Sequence, residues 1–196
     1  MTHPISVSVD DDLERTRLTV FFRPILAIPH FIWLAIWGIA VFAAVVVSWF
    51  VTLFRGSTPL GLHNFIARYV QYATHVYGYV TLLADPYPGF LANTPYPAYA
   101  GIGAPEPQNR WITGFRMIVA IPALMLAQVL QDVWFVVALF SWVMILVNGR
   151  QPEGLRNIGA WILRFQVQTL GYVALLTDRY PELDIEPRPA PAPSPA

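Results

Sequence analysis

The chain has 196 residues, of which 56% are hydrophobic and only 12% are charged, about half the charged share of an ordinary soluble domain. Twelve basic and twelve acidic residues give a formal net charge of zero, so the charge balance indicates no nucleic-acid-binding surface. The chain has no cysteine, which excludes disulfides, thiolate metal sites, iron–sulfur clusters and cysteine nucleophiles.

The N-terminal lead is polar and acidic. Four acidic residues lie between positions 10 and 14, ahead of any apolar run, which is the reverse of the basic start of a secretory signal. We therefore expect the first hydrophobic segment to act as an uncleaved anchor. Ile5, Val7 and Val9 alternate with polar residues, and this spacing predicts one short, half-buried strand outside the membrane.

The first long apolar segment predicts a membrane helix over 24–54. It has no charged residue over 31 positions, whereas about 20 apolar helical residues are enough to cross a hydrocarbon core roughly 30 Å thick. Two glycines and a proline over 56–61 then predict a turn that ends this helix and redirects the chain.

A second, amphipathic helix is predicted over 62–84. Its apolar residues recur at helical spacing, while Arg68 and Gln71 lie on a polar face. Polar residues near the centre of a helix are costly in lipid, so two arrangements stay open. The helix lies in the membrane interface, or it crosses the membrane with its polar face toward the other half of the chain.

The chain is a tandem duplication with an offset of 93 residues. Residues 4–90 align with 97–183 without a gap, and 26 of the 87 aligned positions are identical. Self-similarity at one fixed offset over so long a stretch indicates two copies of one structural unit. We therefore divide the chain into a first unit over 1–92, a second unit over 93–184 and a proline-rich tail over 185–196 that we expect to be disordered.

The second unit is predicted to repeat the helices of the first. Its long apolar helix is expected over 117–147 and its amphipathic helix over 155–177, with Arg164 and Gln168 on the polar face. Its lead, over 97–109, lacks the alternation of the first lead and is predicted to be a proline- and glycine-rich loop. The predicted fold class is thus an all-α membrane protein made of two helix hairpins, with a short N-terminal strand.

The duplication also bears on topology. Two spans per unit place both copies in the same orientation, so identical motifs meet the same environment, and this favours four membrane helices over two.

A hairpin brings the start of its first helix near the end of its second. This predicts ion pairs between Arg23 and Asp85 and between Arg116 and Asp178. Six arginines near the termini and linker against three in the turns predict cytoplasmic termini in the cell membrane.

The acidic residue Asp132 interrupts the second long helix. Gln128 and Gln131 lie beside it, and an acid within an apolar run is by default a candidate for a proton or cation relay. One alternative is a position near one interface, because 31 helical residues extend about 46 Å. Another is a break into two shorter helices at 131–132. The other polar candidates inside the membrane are Arg68, Gln71, Arg164 and Gln168.

Motifs for catalysis, cofactors or metals are missing from the sequence. It contains no nucleotide-binding glycine loop, no Gly-x-Ser-x-Gly nucleophile motif and no histidines or carboxylates at metal-ligand spacing. The sequence therefore predicts neither an enzyme nor a bound metal or cofactor.

The motifs resemble those of the DUF4389 family of bacterial membrane proteins. The matching residues are the run Phe22 to His30, the turn Pro59-x-Gly61-Leu62-x-Asn64-Phe65 and the segment Tyr79…Leu82-Leu83-x-Asp85-x-Tyr87-Pro88. The resemblance covers nearly all of 4–90. A more divergent copy covers 97–183, where Met117, Ala123 and Arg179 replace a proline, a histidine and a proline of the first. The resemblance implies a membrane location and supplies no catalytic residues.

These observations favour a non-catalytic accessory or scaffold subunit. Its expected partners are the lipid bilayer and other membrane-protein subunits or a second copy of the chain. The alternative is a small transporter or channel, because duplicated units commonly place a substrate site at their interface.

Overall fold

The computed structural model describes residues 3–90 and 95–183. Two strands and four helices follow one another in the order β1 (Ile5–Val9), α1 (Arg17–Arg55), α2 (Leu60–Val80), β2 (Ala98–Ile102), α3 (Arg110–Asn148) and α4 (Glu153–Val173). The tail over 185–196, predicted to be disordered, lies outside the described residues. The chain is mostly helical, and α1 and α3 are long and apolar enough to cross a membrane.

The long helix α1 begins seven residues before the predicted start at 24 and continues through Pro24 and Pro29. A proline inside a helix has no N–H to donate to the carbonyl four residues earlier. At Pro24 that carbonyl belongs to Val20, and the indole Nε1 of Trp142 donates to it instead at 3.1 Å. A side chain of α3 therefore satisfies the carbonyl that Pro24 leaves open, which allows α1 to start at Arg17.

Both long helices end at a glycine that the repeat predicted. Gly56 has φ of 80° and Gly149 has φ of 72°, and each donates its N–H to a carbonyl of the last helical turn at 2.7 Å. This left-handed backbone favours glycine, because other residues pay a steric penalty there. The chain then turns back into α2 or α4.

Helices α1 and α3 run antiparallel to each other along their length. The Trp142 indole bonds the Val20 carbonyl at the start of α1, and the Trp49 indole donates to the Thr113 carbonyl at the start of α3, at 2.8 Å. The four-span hairpin topology, which requires α1 and α3 to be parallel, is therefore wrong. A pseudo-two-fold axis relates the two copies. This symmetry also gives identical motifs equivalent surroundings.

The lead of the second unit is a strand, so the loop predicted over 97–109 is wrong for its first part. β2 pairs antiparallel with β1, with Val7 opposite Ala100. Those two positions are equivalent in the repeat, so the pseudo-two-fold axis passes between them. Ala98 and Ala100 are small residues that carry no alternation signal, yet both are buried in the strand.

The elements form three layers, and the two copies interlock. The pair α1 and α3 forms the first layer, α2 and α4 pack on it, and the two-stranded sheet covers α2 and α4. Each strand packs on the second helix of the other copy, with β1 on α4 and β2 on α2. One buried cluster extends through all three layers and includes Val41, Val70, Trp134, Ile162 and Ala98.

Candidate functional site

Arg23 is a charged group in the interior of the protein and is only 2% exposed. Its Nη1 donates to the carbonyls of Tyr79 at 2.9 Å and Ala84 at 3.0 Å, and its Nη2 donates to Asp85 Oδ1 at 2.6 Å. The guanidinium also lies over the Tyr79 ring, 4.4 Å from its centroid. Arg23 thus joins the start of α1 to the C-terminal end of α2, where unpaired carbonyls concentrate negative partial charge.

The equivalent arginine of the second copy, Arg116, makes the same backbone contacts. Its Nη1 donates to the carbonyls of Tyr172 and Thr177, and the guanidinium lies 4.6 Å from the centroid of the Tyr172 ring. Its Nη2 donates to Gln108 Oε1 at 2.7 Å. We call Arg23 and Arg116, with the carbonyls that they bind, the two arginine anchors.

The predicted ion pair between Arg116 and Asp178 is therefore replaced by a neutral contact to Gln108. The position equivalent to Gln108 in the first copy is Arg15, whose cationic side chain has no acceptor to offer Arg23. A carboxylate, Asp85, fills that role in the first copy. In the second copy Gln108 supplies the acceptor oxygen itself, so Asp178 is not needed for it.

Both anchors act where the chain leaves the second helix through a left-handed residue. Leu82 has φ of 67° and Leu175 has φ of 63°, a conformation that is uncommon for a residue with a side chain. Arg15 donates to the carbonyl of Leu82 at 3.4 Å, and Gln108 donates to that of Leu175 at 2.8 Å. These contacts hold the two leucines in place, and both side chains are buried.

Sequence reasoning missed several members of these anchors. Tyr79 and Tyr172 stand in an identical repeat motif, so their recurrence was a usable signal. Arg15 and Gln108 differ between the copies, and neither lies in a recognisable motif. An acidic network around Arg15 was also missed: Asp11 Oδ2 lies 3.4 Å from Arg15 Nη2 and accepts the backbone N–H of Asp85 at 2.6 Å.

Asp132 lies on an exposed face of α3. Gln128 Nε2 donates to Asp132 Oδ1 at 3.3 Å, and Gln131 is half-buried. Helix α3 is continuous through these residues, so a break at 131–132 is excluded. The carboxylate therefore has a local amide partner on the surface of a long apolar helix.

The four polar candidates on α2 and α4 do not share one environment. Arg68 is exposed, whereas Gln71 and Arg164 are half-buried. Gln168 is buried, and its Nε2 donates to the carbonyl of Ile5 at 3.2 Å while its Oε1 accepts the N–H of Glu182 at 3.0 Å. Gln168 thus fastens β1 to α4, which is a structural role.

Two of the buried histidines, His30 and His75, pack against aromatic rings. His30 Nδ1 lies 2.7 Å from the Tyr72 hydroxyl, and the His75 ring stacks on Tyr96 with centroids 4.6 Å apart. Burial lowers the pKa of His75 to about 4 and raises the pKa of Tyr96, whose hydroxyl donates to the Pro86 carbonyl at 2.7 Å. Across 3–90 and 95–183, no three histidine or acidic side chains form a group that could hold a metal ion.

The outer surface of α1 and α3 is apolar. In the most hydrophobic 18-residue window of α1, and likewise of α3, only 17% of the residues are buried. A cavity of about 510 Å³ opens between the layers, and its lining includes Val41, Trp49, Val70, Met117 and Leu170. Exposed apolar area of this extent marks a surface that contacts lipid or another protein.

Comparison with known proteins identifies the repeat but assigns no activity. The sequence pattern of a family described as a domain of unknown function (DUF4389) matches twice, over residues 17–92 and 110–182. Neither the curated proteins nor the solved structures contain a match to this chain. The two matches cover most of the chain and agree with the two copies of the internal repeat. The chain therefore belongs to the DUF4389 family and carries two tandem copies of its domain.

Proposed function

We propose that this protein is embedded in the cell membrane through α1 and α3 and acts as a non-catalytic accessory or scaffold subunit. The observation that carries this proposal is the exposed surface of the two long helices. Large residues such as Leu18, Ile39, Trp111 and Met125 are all more than 60% exposed. Such a surface is unfavourable in water and is stabilised by contact with lipid tails.

The use of the interior polar groups supports a non-catalytic role. The two arginine anchors bind helix carbonyls, Gln168 fastens a strand, and the hydroxyls of Thr74 and Thr169 donate to carbonyls of their own helices. The hydrogen bonds of these polar groups therefore stabilise the fold. The Tyr72 hydroxyl lies beside a histidine, His30, but both residues are fully buried, so a substrate does not reach the pair.

The proposed partners are lipid and either a second copy or another membrane subunit. Gentle detergent extraction followed by mass photometry tests this. We expect a homo-oligomer or a complex with another subunit in fixed stoichiometry. A monomer that stays alone after cross-linking in intact membranes would contradict the scaffold role without contradicting the membrane location.

A small transporter is the second candidate, and the pair of Asp132 and Gln128 is the observation in its favour. A relay would need Asp132 to load and release a cation or proton. Ion flux into proteoliposomes that falls at least tenfold in Asp132→Asn, but not in Asp178→Asn, would support this activity. Flux equal to that of empty liposomes would exclude it.

A further inference from the structure

We propose that α1 and α3 lie along one leaflet of the membrane, parallel to its surface, with the sheet layer in water. This inference rests on the proposed membrane location and specifies its geometry. The helix pair is then the membrane-bound layer of the protein, and α2, α4 and the sheet lie on its other face. The occupant of its outer face is the acyl layer of one leaflet.

The direction of the pseudo-two-fold axis favours helices that lie parallel to the membrane. Because α1 and α3 are antiparallel neighbours, the axis that exchanges them runs perpendicular to the plane of the pair. The same axis passes between Val7 and Ala100 in the sheet, so it crosses all three layers. If the long helices spanned the bilayer, this axis would lie in the membrane plane, and the sheet would sit at the depth of the bilayer centre.

The two-stranded sheet is unsuited to the depth of the bilayer centre. Its buried positions alternate with Ser6, Ser8 and Tyr99, which face away from α2 and α4. A sheet of two strands also has two open edges, and open sheet edges do not occur in the hydrocarbon region, because their N–H and C=O groups find no partner there. Water is the solvent that fits this layer.

The apolar face of α1 is longer than the hydrocarbon core of a membrane is thick. At about 1.5 Å per residue, the 39 residues of α1 extend about 58 Å, almost twice a hydrocarbon core of roughly 30 Å. An exposed apolar stripe follows the whole helix, opposite the buried one. It consists of Leu18, Phe21, Ile25, Ile32, Ile39 and Phe50. A helix parallel to the surface keeps all of these at one depth.

Exposed arginines lie at both ends of the pair formed by α1 and α3. Arg17 and Arg150 lie at one end, where Gly149 approaches Arg17, and Arg55 and Arg110 lie at the other. Each end therefore carries two exposed arginines, whereas spanning proteins concentrate arginine on the cytoplasmic side. Arginines at both ends of a helix lying in the interface reach the headgroups equally. Asp132 lies on the exposed face of α3 whether this helix spans the membrane or lies along it. Its position therefore favours neither geometry.

Single cysteines provide the test, since the natural chain has none. Thr16→Cys and Ser57→Cys place a thiol at opposite ends of α1, Ser6→Cys places one on the sheet, and Ile39→Cys places one on the apolar stripe. Each variant is exposed to a membrane-impermeant maleimide in spheroplasts and in inverted vesicles. We expect the first three to react from the same side and Ile39→Cys to be protected from both.

The outcomes separate the two proposals. Reaction of Thr16→Cys and Ser57→Cys from opposite sides, in protein that pellets with membranes, would overturn the in-plane geometry and leave the membrane location intact. Protein that stays in the supernatant after ultracentrifugation would overturn both.

Spin labels at positions 25, 32, 39 and 50 give an independent readout. These sites extend over about 38 Å of helix. Depth from paramagnetic quenching is expected to be the same at all four. A depth profile with a maximum at 39 and shallow values at 25 and 50 would show that α1 spans.

Discussion

At the scale of single residues, the structure shows how a duplicated sequence tolerates differences between its copies. Arg23 finds its acceptor in a carboxylate and Arg116 finds it in an amide, yet both arginines hold the same two backbone carbonyls. What the repeat preserves is therefore the contact between an arginine and a helix end. The third hydrogen-bond partner of the arginine differs between the copies. Arg15 in the first copy has no acceptor to offer, whereas Gln108 at the equivalent position of the second copy has one.

This difference predicts unequal effects of matched substitutions. Asp85→Asn removes the charge that balances the buried Arg23, and we expect it to lower the free energy of unfolding by about 1.5–3 kcal/mol, the range for a hydrogen bond to a charged group. Asp178→Asn is its counterpart and is expected to cost less than about 0.5 kcal/mol. Thermal unfolding of both variants in one detergent measures the difference, and equal losses would contradict the assignment.

The tryptophan contacts between the long helices provide a second matched pair. Trp142→Phe leaves the buried Val20 carbonyl without a donor, because Pro24 has no N–H to offer. We expect a loss of about 1–3 kcal/mol, the cost of an unsatisfied buried polar group. In Trp49→Phe the Thr113 carbonyl keeps the N–H of Met117 in a continuous helix, so the loss should be smaller. A larger loss in Trp49→Phe would refute this reasoning.

His75 predicts a pH dependence of stability. Its pKa is about 4 in the folded protein and about 6.5 in the unfolded chain. As the pH falls from 6.5 to 4, the unfolded chain takes up a proton that the folded protein does not, so stability decreases by up to about 3 kcal/mol. Melting temperatures between pH 7 and pH 4 measure this. His75→Phe is expected to flatten the profile, and an unchanged slope would exclude His75 as the cause.

At the scale of elements, the long helices were predictable from the sequence, whereas only β1 of the two strands was. The uncharged runs and the terminal glycines indicated α1 and α3, but not their early starts, because the uncharged runs begin only after Arg23 and Arg116. Both arginines lie inside the helices, and Trp142, distant in sequence, satisfies the carbonyl that Pro24 leaves open. β2 has no alternating pattern of its own, and its partner strand lies 89 or more residues earlier. Local sequence therefore carries no sign of it.

The contact between β2 and α2 yields a prediction at this scale. A Cβ added to Gly78 would lie 2.6 Å from the Cβ of Ala98, so one of the two elements must move. We expect Gly78→Ala to lower the free energy of unfolding by about 1–3 kcal/mol through overpacking. Gly61→Ala on the same helix meets no atom within 4 Å and should be neutral or stabilising by up to about 1 kcal/mol. Equal stability of the two variants would contradict the close packing.

At the scale of the whole molecule, the duplication was readable in the sequence but the relation between the copies was not. A repeat offset gives the equivalence of residues and leaves the symmetry axis unspecified. Parallel and inverted copies satisfy the same identities, and the bonds of Trp49 and Trp142 decide between them. The residues of the two arginine anchors come together only in the folded protein, where the ends of α2 and α4 pack against α1 and α3.

We expect lipid tails to solvate the outer faces of α1 and α3. A lipid-soluble carbene precursor, activated by light in native membranes and followed by peptide mass spectrometry, measures this contact. We expect adducts along the whole length of α1 and α3, at residues such as Ile25, Ile39 and Met125, and none on Ser6 or Arg68. Adducts confined to the sheet layer, or an unlabelled α1, would contradict it.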